Sequence, residues 1–389
     1  MAQYLQEAMA LKDEIVSHRR YLHQHAELGF DLTQTRAYVM KNLISYGYQP
    51  QELGGGVTCT VGSGALVILL RADMDALPQQ EVSGLPFACT EGACHSCGHD
   101  CHTTMLLMAA KLLKAHESEL KGTVKFCFQP AEELLAGSRS MIDAGIMENP
   151  HVDAAIGMHL DFGPRDTYRP TVGTVGFNDG PMMASADAFH IEITGQSAHG
   201  SLPQLGISAL NVATAVADAL TKLPTLEMPG DETIILSVCR IVSGTATNII
   251  PDSAVVEGSF RAYNRECRKK MCERIEEVST YLAKAWRAEA KVSFPLRTAS
   301  LLNDADMTHE MAEYCKDVVE EIHVTPPQKG SEDFANYTEH VPCFFLLLGA
   351  GDGEYGWHDP HVQIDEGAMP YGVALLCTCA SRWLENHQK

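Results

Sequence analysis

Apolar residues recur at helical spacing through residues 3–25, where Leu5, Met9, Ile15, Val16 and Leu22 share a face. This predicts one amphipathic helix there and a second over 33–46. Short β-rich runs at 57–61 and 65–70 are flanked by glycines, as hairpin or buried strands are. A helical pattern follows over 102–114. Strands are expected at Thr123–Gln129, which stops at Pro130, and at 154–158, which ends against His159. Strands alternating with helices define an α/β domain with a parallel or mixed sheet.

The pattern then changes. A strand is expected at 188–194, a helix at 208–223, strands at 233–242 and 254–263, a charged helix at 265–288 and a strand at 290–294. The order β-α-β-β-α-β is the ferredoxin-like split arrangement, which folds by itself. Residues 185–294 are therefore expected to form an inserted domain, with hinges near 184–187 and 294–297. Residues 1–184 and 295–389 would make up the main domain. Its last part is predicted to hold a helix over 306–321, a strand over 343–348 and a closing helix from 366 to about 385.

At 389 residues the chain suits two domains. Against 29 Lys+Arg stand 50 Asp+Glu, a formal charge of −21. That field repels nucleic-acid backbones and anionic lipid heads, so neither is an expected partner. No apolar run reaches membrane-spanning length, and the first twenty residues lack the basic-then-apolar pattern of a secretory signal. The 13 Cys then read as reduced thiols or ligands in a cytoplasmic protein.

The chemistry is concentrated between Cys94 and His102. Cys94, His95, Cys97, His99, Asp100, Cys101 and His102 crowd a Gly-containing turn before a helix. Such soft and borderline donors suit Zn, Mn, Co or Ni better than Ca or Mg. Cys94-His95-Ser96-Cys97 also fits half of a structural zinc knuckle or a redox Cys-x-x-Cys, but a knuckle needs a second compact Cys/His pair that does not appear downstream. Glu132-Glu133 directly follows a strand; one can bind metal while the other stays free to move protons. His159 and His358 complete a set gathered from separate segments.

These residues carry a family resemblance along nearly the whole chain. Its marks are Arg20-Tyr21-Leu22-His23 with Glu27-Leu28-Gly29-Phe30, the run Arg71-Ala72-Asp73-Met74-Asp75-Ala76-Leu77-Pro78, and Cys97-Gly98-His99-Asp100-Cys101-His102. Phe128-Gln129-Pro130-Ala131-Glu132-Glu133 and Gly157-Met158-His159 follow, then Ser197-Ala198-His199-Gly200, Asn248-Ile249-Ile250-Pro251, Gly330-Ser331-Glu332-Asp333-Phe334 and the His358 loop. The chain resembles the hippurate hydrolase, indoleacetyl-amino-acid hydrolase and N-acetyldiaminopimelate deacetylase branch of the aminoacylase/carboxypeptidase superfamily.

The resemblance implies a zinc-peptidase-like α/β catalytic domain and an inserted lid and dimerisation domain. It implies two divalent metal ions per chain (Mn or Zn, with Ni or Co as alternatives) held by Cys97, His99, Glu133, His159 and His358, with Cys97 bridging. Glu132 would be the general base and Asp75 would orient a ligand. His199 and Asn248 would meet the substrate or its transition state, and Arg261 would clamp its carboxylate. The expected reaction is hydrolysis of the amide bond of an N-acyl amino acid or similar small amide by a homodimer. A dipeptidase or aminopeptidase of the same superfamily, and a metal-binding protein without turnover, are the rival readings. Cys94, Ser96 and Cys101 stand where relatives of this branch have Met, Ala and Gly, and Ala26 where they have Pro; none of these replaces an implied ligand.

Overall fold

The computed structural model describes residues 3–164 and 168–388. The chain divides into two compact units. One is Met1–Met182, Leu302–Pro326 and Asp333–Lys389; the other is Met183–Leu301 with Pro327–Glu332.

The first unit is built on a mixed eight-stranded sheet. Val67–Asp73, Thr123–Gln129, Ala154–Asp161 and Cys343–Gly349 form its parallel centre. Every residue of these four strands is buried. That explains their near-continuous apolar runs, because a parallel strand covered on both faces has no solvent side to alternate with. The helix His99–Ala115 is buried through most of its length. The expected helix over 3–25 is two helices, Gln3–Ala10 and Lys12–Gln24. The one expected over 306–321 ends at Cys315, and Glu321–Val324 is an edge strand paired to Thr174–Phe177. Both strands are four residues long, too short for a period to register.

The second unit carries the β-α-β-β-α-β arrangement. Its antiparallel strands are Ala186–Thr194, Ile234–Ser243, Ser253–Ala262 and Glu289–Thr298, with the Ser253–Ala262 and Ala186–Thr194 pair central. Helices Ala209–Leu220 and Arg265–Ala285 bury one face of that sheet around Phe189, Ile191, Val212, Val216, Val256, Phe260 and Ile275. Ser208 and Asn264 cap the two helices by accepting backbone N–H groups of the first turn.

Candidate metal centre

Four segments of the first unit converge at one end of its sheet. Strand Val67–Asp73 runs into Asp75. Helix His99–Ala115 begins two residues after Cys97. The turn after Thr123–Gln129 carries Glu132 and Glu133, and strand Ala154–Asp161 carries His159. Gly98 stands between Cys97 and His99 at φ +89°, a left-handed conformation, and a Cβ there would lie 3.2 Å from Ile364 Cδ1. This reversal lets Cys97 and His99 face the same space. Ala131 and His358 also have positive φ, 51° and 66°, costly backbone of the kind found at functional sites.

Five groups of three donors lie together among the described residues, and two of them share a sulfur. In one, Cys97, His99 and His159 offer atoms within 4.8 Å of one another; in the other, Cys97, Glu133 and His358 do. Cys97 Sγ lies 3.3 Å from His159 Nε2, and His358 Nε2 lies 3.5 Å from Glu133 Oε2. The surrounding bonds fix the tautomers. His99 Nδ1 donates to the Asp75 carbonyl at 2.8 Å and His159 Nδ1 to the Leu160 carbonyl at 2.7 Å, so each presents Nε2 to the shared space. His99 Nε2 and Glu133 Oε1 are buried without a hydrogen-bond partner. Unsatisfied buried acceptors of this kind are costly, and a divalent cation between their lone pairs removes the cost. Electrostatics agree. Burial raises the Cys97 thiol well above its usual range, and Glu133 and Glu132 push it further. Burial opposes protonation of His99, but Asp73 and Cys97 outweigh it and raise that imidazole.

The two glutamates differ in setting. Asp75 accepts the backbone N–H of Glu132 at 2.9 Å and that of Glu133 at 3.2 Å, one on each carboxylate oxygen, which clamps the turn. Glu132 Oε1 accepts the backbone N–H of Asp333 at 3.4 Å and its Oε2 lies 3.9 Å from His99 Nε2; Glu133 Oε1 lies the same 3.9 Å from His99, and only Glu133 also approaches His358, at 3.5 Å.

Several residues of the dense cluster stand outside the two triads that share Cys97, although His102 groups with Asp73 and His99. His102 uses both ring nitrogens: Nδ1 donates to Asp73 Oδ1 at 2.7 Å and Nε2 accepts the Leu160 N–H at 2.9 Å. It braces the strand that carries His159. Asp100 is tied to Arg19 and His23, both at 2.8 Å. Cys94 and Cys101 are buried and belong to no donor group among the described residues.

Residues behind the pocket went unassigned in the sequence. Arg71 is completely buried and donates to Asp73 at 2.6 Å, Asp333 at 2.8 Å and Gln129 at 3.0 Å. Asp333 also accepts the Ser138 N–H at 2.8 Å, just beyond the glutamate turn. The one available signal was an Arg inside a strand of apolar residues, which must find buried anions.

In the second unit the segments of His199 and Asn248 come together. Ala198–His199 pairs with Ile249–Ile250, and Gly200 N donates to Asn248 O at 2.7 Å. Arg261 does not join them. It bonds Ser331 and lies near the far end of Ser253–Ala262. At ~3.4 Å per residue that strand puts Ser253, beside the Asn248 turn, roughly 25 Å from Arg261. The expected grouping of these three around one substrate is not made within one chain.

Fold and site define a metal-dependent hydrolase with a zinc-peptidase-like α/β domain. The model of peptidase family M20/M25/M40 matches residues 69–382, and the chain belongs to that family. It is 36% identical over 386 residues to the N-acetyl-L-cysteine deacetylase of Bacillus subtilis, covering 97% of this chain and 90% of the relative. It is 35% identical to IAA-amino acid hydrolase ILR1-like 4 of Arabidopsis thaliana, covering 96% and 86%. Among solved structures, the Bacillus subtilis YXEP protein, a dinuclear metal-binding peptidase of the M20 family, matches with TM-score 0.81 and 32% identity over 97% of this chain and 99% of that one. A structure from methicillin-resistant Staphylococcus aureus matches with TM-score 0.92 and 26% identity over 99% and 100%.

Proposed function

We propose that this protein hydrolyses the amide bond of N-acyl amino acids, with two divalent ions held by Cys97, His99, Glu133, His159 and His358. The observation that carries the reading is the pair of donor triads sharing Cys97, with Glu132 beside them. Cys97 is the proposed bridge; its soft sulfur with the imidazoles suits Zn, and the Glu133 carboxylate admits Mn, with Co or Ni as alternatives. The named activities of the Bacillus and Arabidopsis relatives support the substrate class.

Bound there, the ions would supply an acidified water and a polarised carbonyl. Glu132 takes the proton of the attacking water as the C–O bond forms. It returns that proton to the nitrogen as the C–N bond breaks, leaving a carboxylic acid and a free amine; the acid then gives up its remaining proton at neutral pH. Asp75 holds Glu132 and Glu133 at fixed spacing through their backbone N–H groups. The Leu160 carbonyl holds His159 in the tautomer that offers Nε2, and His102 braces that strand through the Leu160 N–H.

His199 and Asn248 are proposed as donors to the developing oxyanion and Arg261 as the carboxylate clamp. Their separation along Ser253–Ala262 means that one small substrate cannot reach His199 and Arg261 of the same chain. A homodimer in which each substrate meets His199 of one copy and Arg261 of the other resolves this. Light scattering should give twice the mass of one chain, 42.4 kDa; a monomer at micromolar concentration contradicts it.

Complementation then tests how His199 acts. His199→Ala should lose kcat by roughly 10²-fold with metal content intact. Mixed and re-associated with inactive Glu132→Gln, it should regain activity, because one site of the mixed dimer has both wild-type groups. Absence of recovery in confirmed mixed dimers places His199 and Glu132 of one chain at one site.

The proposed location is the cytoplasm, which the free state of all 13 cysteines suits. Among the described residues no helix is long and apolar enough to cross a membrane. Dipeptides belong in the substrate screen, because the peptidase reading predicts turnover of those instead. The deciding experiment is turnover of an N-acyl amino acid library with and without metal; the reading expects cleavage only in the metal-loaded protein.

A further inference from the structure

His358 is held differently from the other proposed ligands. Its side chain is 52% exposed, against 9% for Glu133, and its backbone stands at φ +66°, a costly conformation. An exposed side chain on strained backbone keeps its place only where the chain around it is anchored. Two anchors bond its own backbone: His358 N donates to Ser96 O at 3.0 Å, and Gln79 Nε2 donates to His358 O at 3.1 Å. The third is Trp357, its neighbour in the chain. The indole Nε1 donates to Leu160 O at 3.0 Å, and the ring meets the His159 imidazole edge-on, with centroids 5.1 Å apart at 71°.

Leu160 is where this loop meets the strand that carries His159. Pairing of Ala154–Asp161 with Val67–Asp73 ends at Gly157, and past that point the Leu160 peptide bonds side chains. Its N–H goes to His102 Nε2 at 2.9 Å. Its carbonyl accepts the His159 Nδ1–H at 2.7 Å and the Trp357 Nε1–H at 3.0 Å, two donors for its two lone pairs. An indole N–H is a donor only and points in one direction, so this bond fixes the ring against the carbonyl. Trp357 thus shares with His159 the acceptor that sets the His159 tautomer, while its backbone runs straight into His358. His159 belongs to one of the triads that contain Cys97 and His358 to the other.

We propose that Trp357 is a positioning residue for both metal sites, holding the His358 loop in place through the same carbonyl that orients His159. The inference rests on the proposed metal pair. Removing the indole N–H releases the loop from the strand and leaves Leu160 O to His159 alone. Removing the ring as well takes away the packing against the His159 imidazole. Outer partners that orient metal-binding histidines are worth about 10–100-fold in metal affinity.

The test takes the full chain, stripped of metal, as wild type, Trp357→Phe and Trp357→Leu. Each is titrated with Zn against a competing chelator, bound metal is counted, and urea unfolding is measured on the metal-free proteins. Wild type should take up two Zn. Both dissociation constants should rise, by about 10-fold in Trp357→Phe and up to about 100-fold in Trp357→Leu. The metal-free stability of Trp357→Phe should stay near that of wild type. Indole emission is a second readout, because Trp286 and Trp383 remain in both variants. Zn should change the emission of wild type and leave that of Trp357→Phe nearly unaltered. Unchanged dissociation constants in both variants, a loss of stability without a loss of affinity, or an equal emission change in wild type and Trp357→Phe overturns the proposal. A rise confined to one ion overturns the claim that Trp357 serves both sites. Wild type that binds no Zn overturns the metal pair itself, and the inference falls with it. If Trp357→Leu does not fold, Trp357→Phe decides the outcome alone.

Discussion

Glu132→Gln should keep its metal and its fold and lose roughly 10²–10⁴-fold in kcat, the usual scale for removing a positioned general base. The amide of Gln is close in shape to the carboxylate and preserves the acceptor toward Asp333 N. It cannot take a proton from water at neutral pH. Glu133→Gln should behave differently. Its carboxylate faces His99 and His358, and Oε1 is buried without a partner. Loss of that negative charge should release metal first and activity as a consequence. Elemental analysis of the two purified variants separates the roles. Metal lost from Glu132→Gln and retained by Glu133→Gln would mean that the assignments are exchanged.

Arg71→Met should destabilise the protein by about 3–5 kcal/mol, the scale for removing one partner of a buried ion pair. Asp73 and Asp333 would keep their charges in a dry interior with their shared guanidinium gone. Burial alone raises the Asp73 carboxyl; His99, Arg71 and His102 outweigh it and hold the group well below its usual range. Asp333 also holds Ser138, so the glutamate turn should loosen in the same variant. Urea unfolding of the metal-free proteins measures the loss without metal linkage. A change below about 1 kcal/mol, the scale of an exposed pair, would show that the interior adapts to losing the cation.

The sequence carried the chemistry further than the architecture behind it. Long strands and helices with a clear period were legible, and so was the ferredoxin-like order of the insert, because each of its elements has one apolar face. Leu11 divides the first helix because a period continuing across a break reads the same as one helix. The short strands 174–177 and 321–324 carry too few residues for a pattern. Donor-rich positions were legible as a cluster, but spacing could not sort His102 from His99. That distinction lies in where the ring nitrogens bond: to Asp73 and Leu160 in one case, into the shared space in the other. Nor could spacing show that Arg261 lies at the far end of Ser253–Ala262 from the turn where His199 and Asn248 meet. The paired network of Arg71, Asp73 and Asp333 joins residues 71 and 333, a contact no local pattern reveals.

The proposed reaction requires the metal pair and the base to act together on an amide. The most direct measurement is mass-spectrometric turnover of an N-acyl amino acid and dipeptide library by protein stripped with a chelator and then reloaded with Mn or Zn, with bound metal counted in each sample. Cleavage of N-acyl amino acids should be absent in stripped protein and return as metal content approaches two per chain, the number that two donor triads sharing Cys97 call for. Full cleavage by the metal-free protein, or no cleavage of any N-acyl amino acid at full metal occupancy, would contradict it.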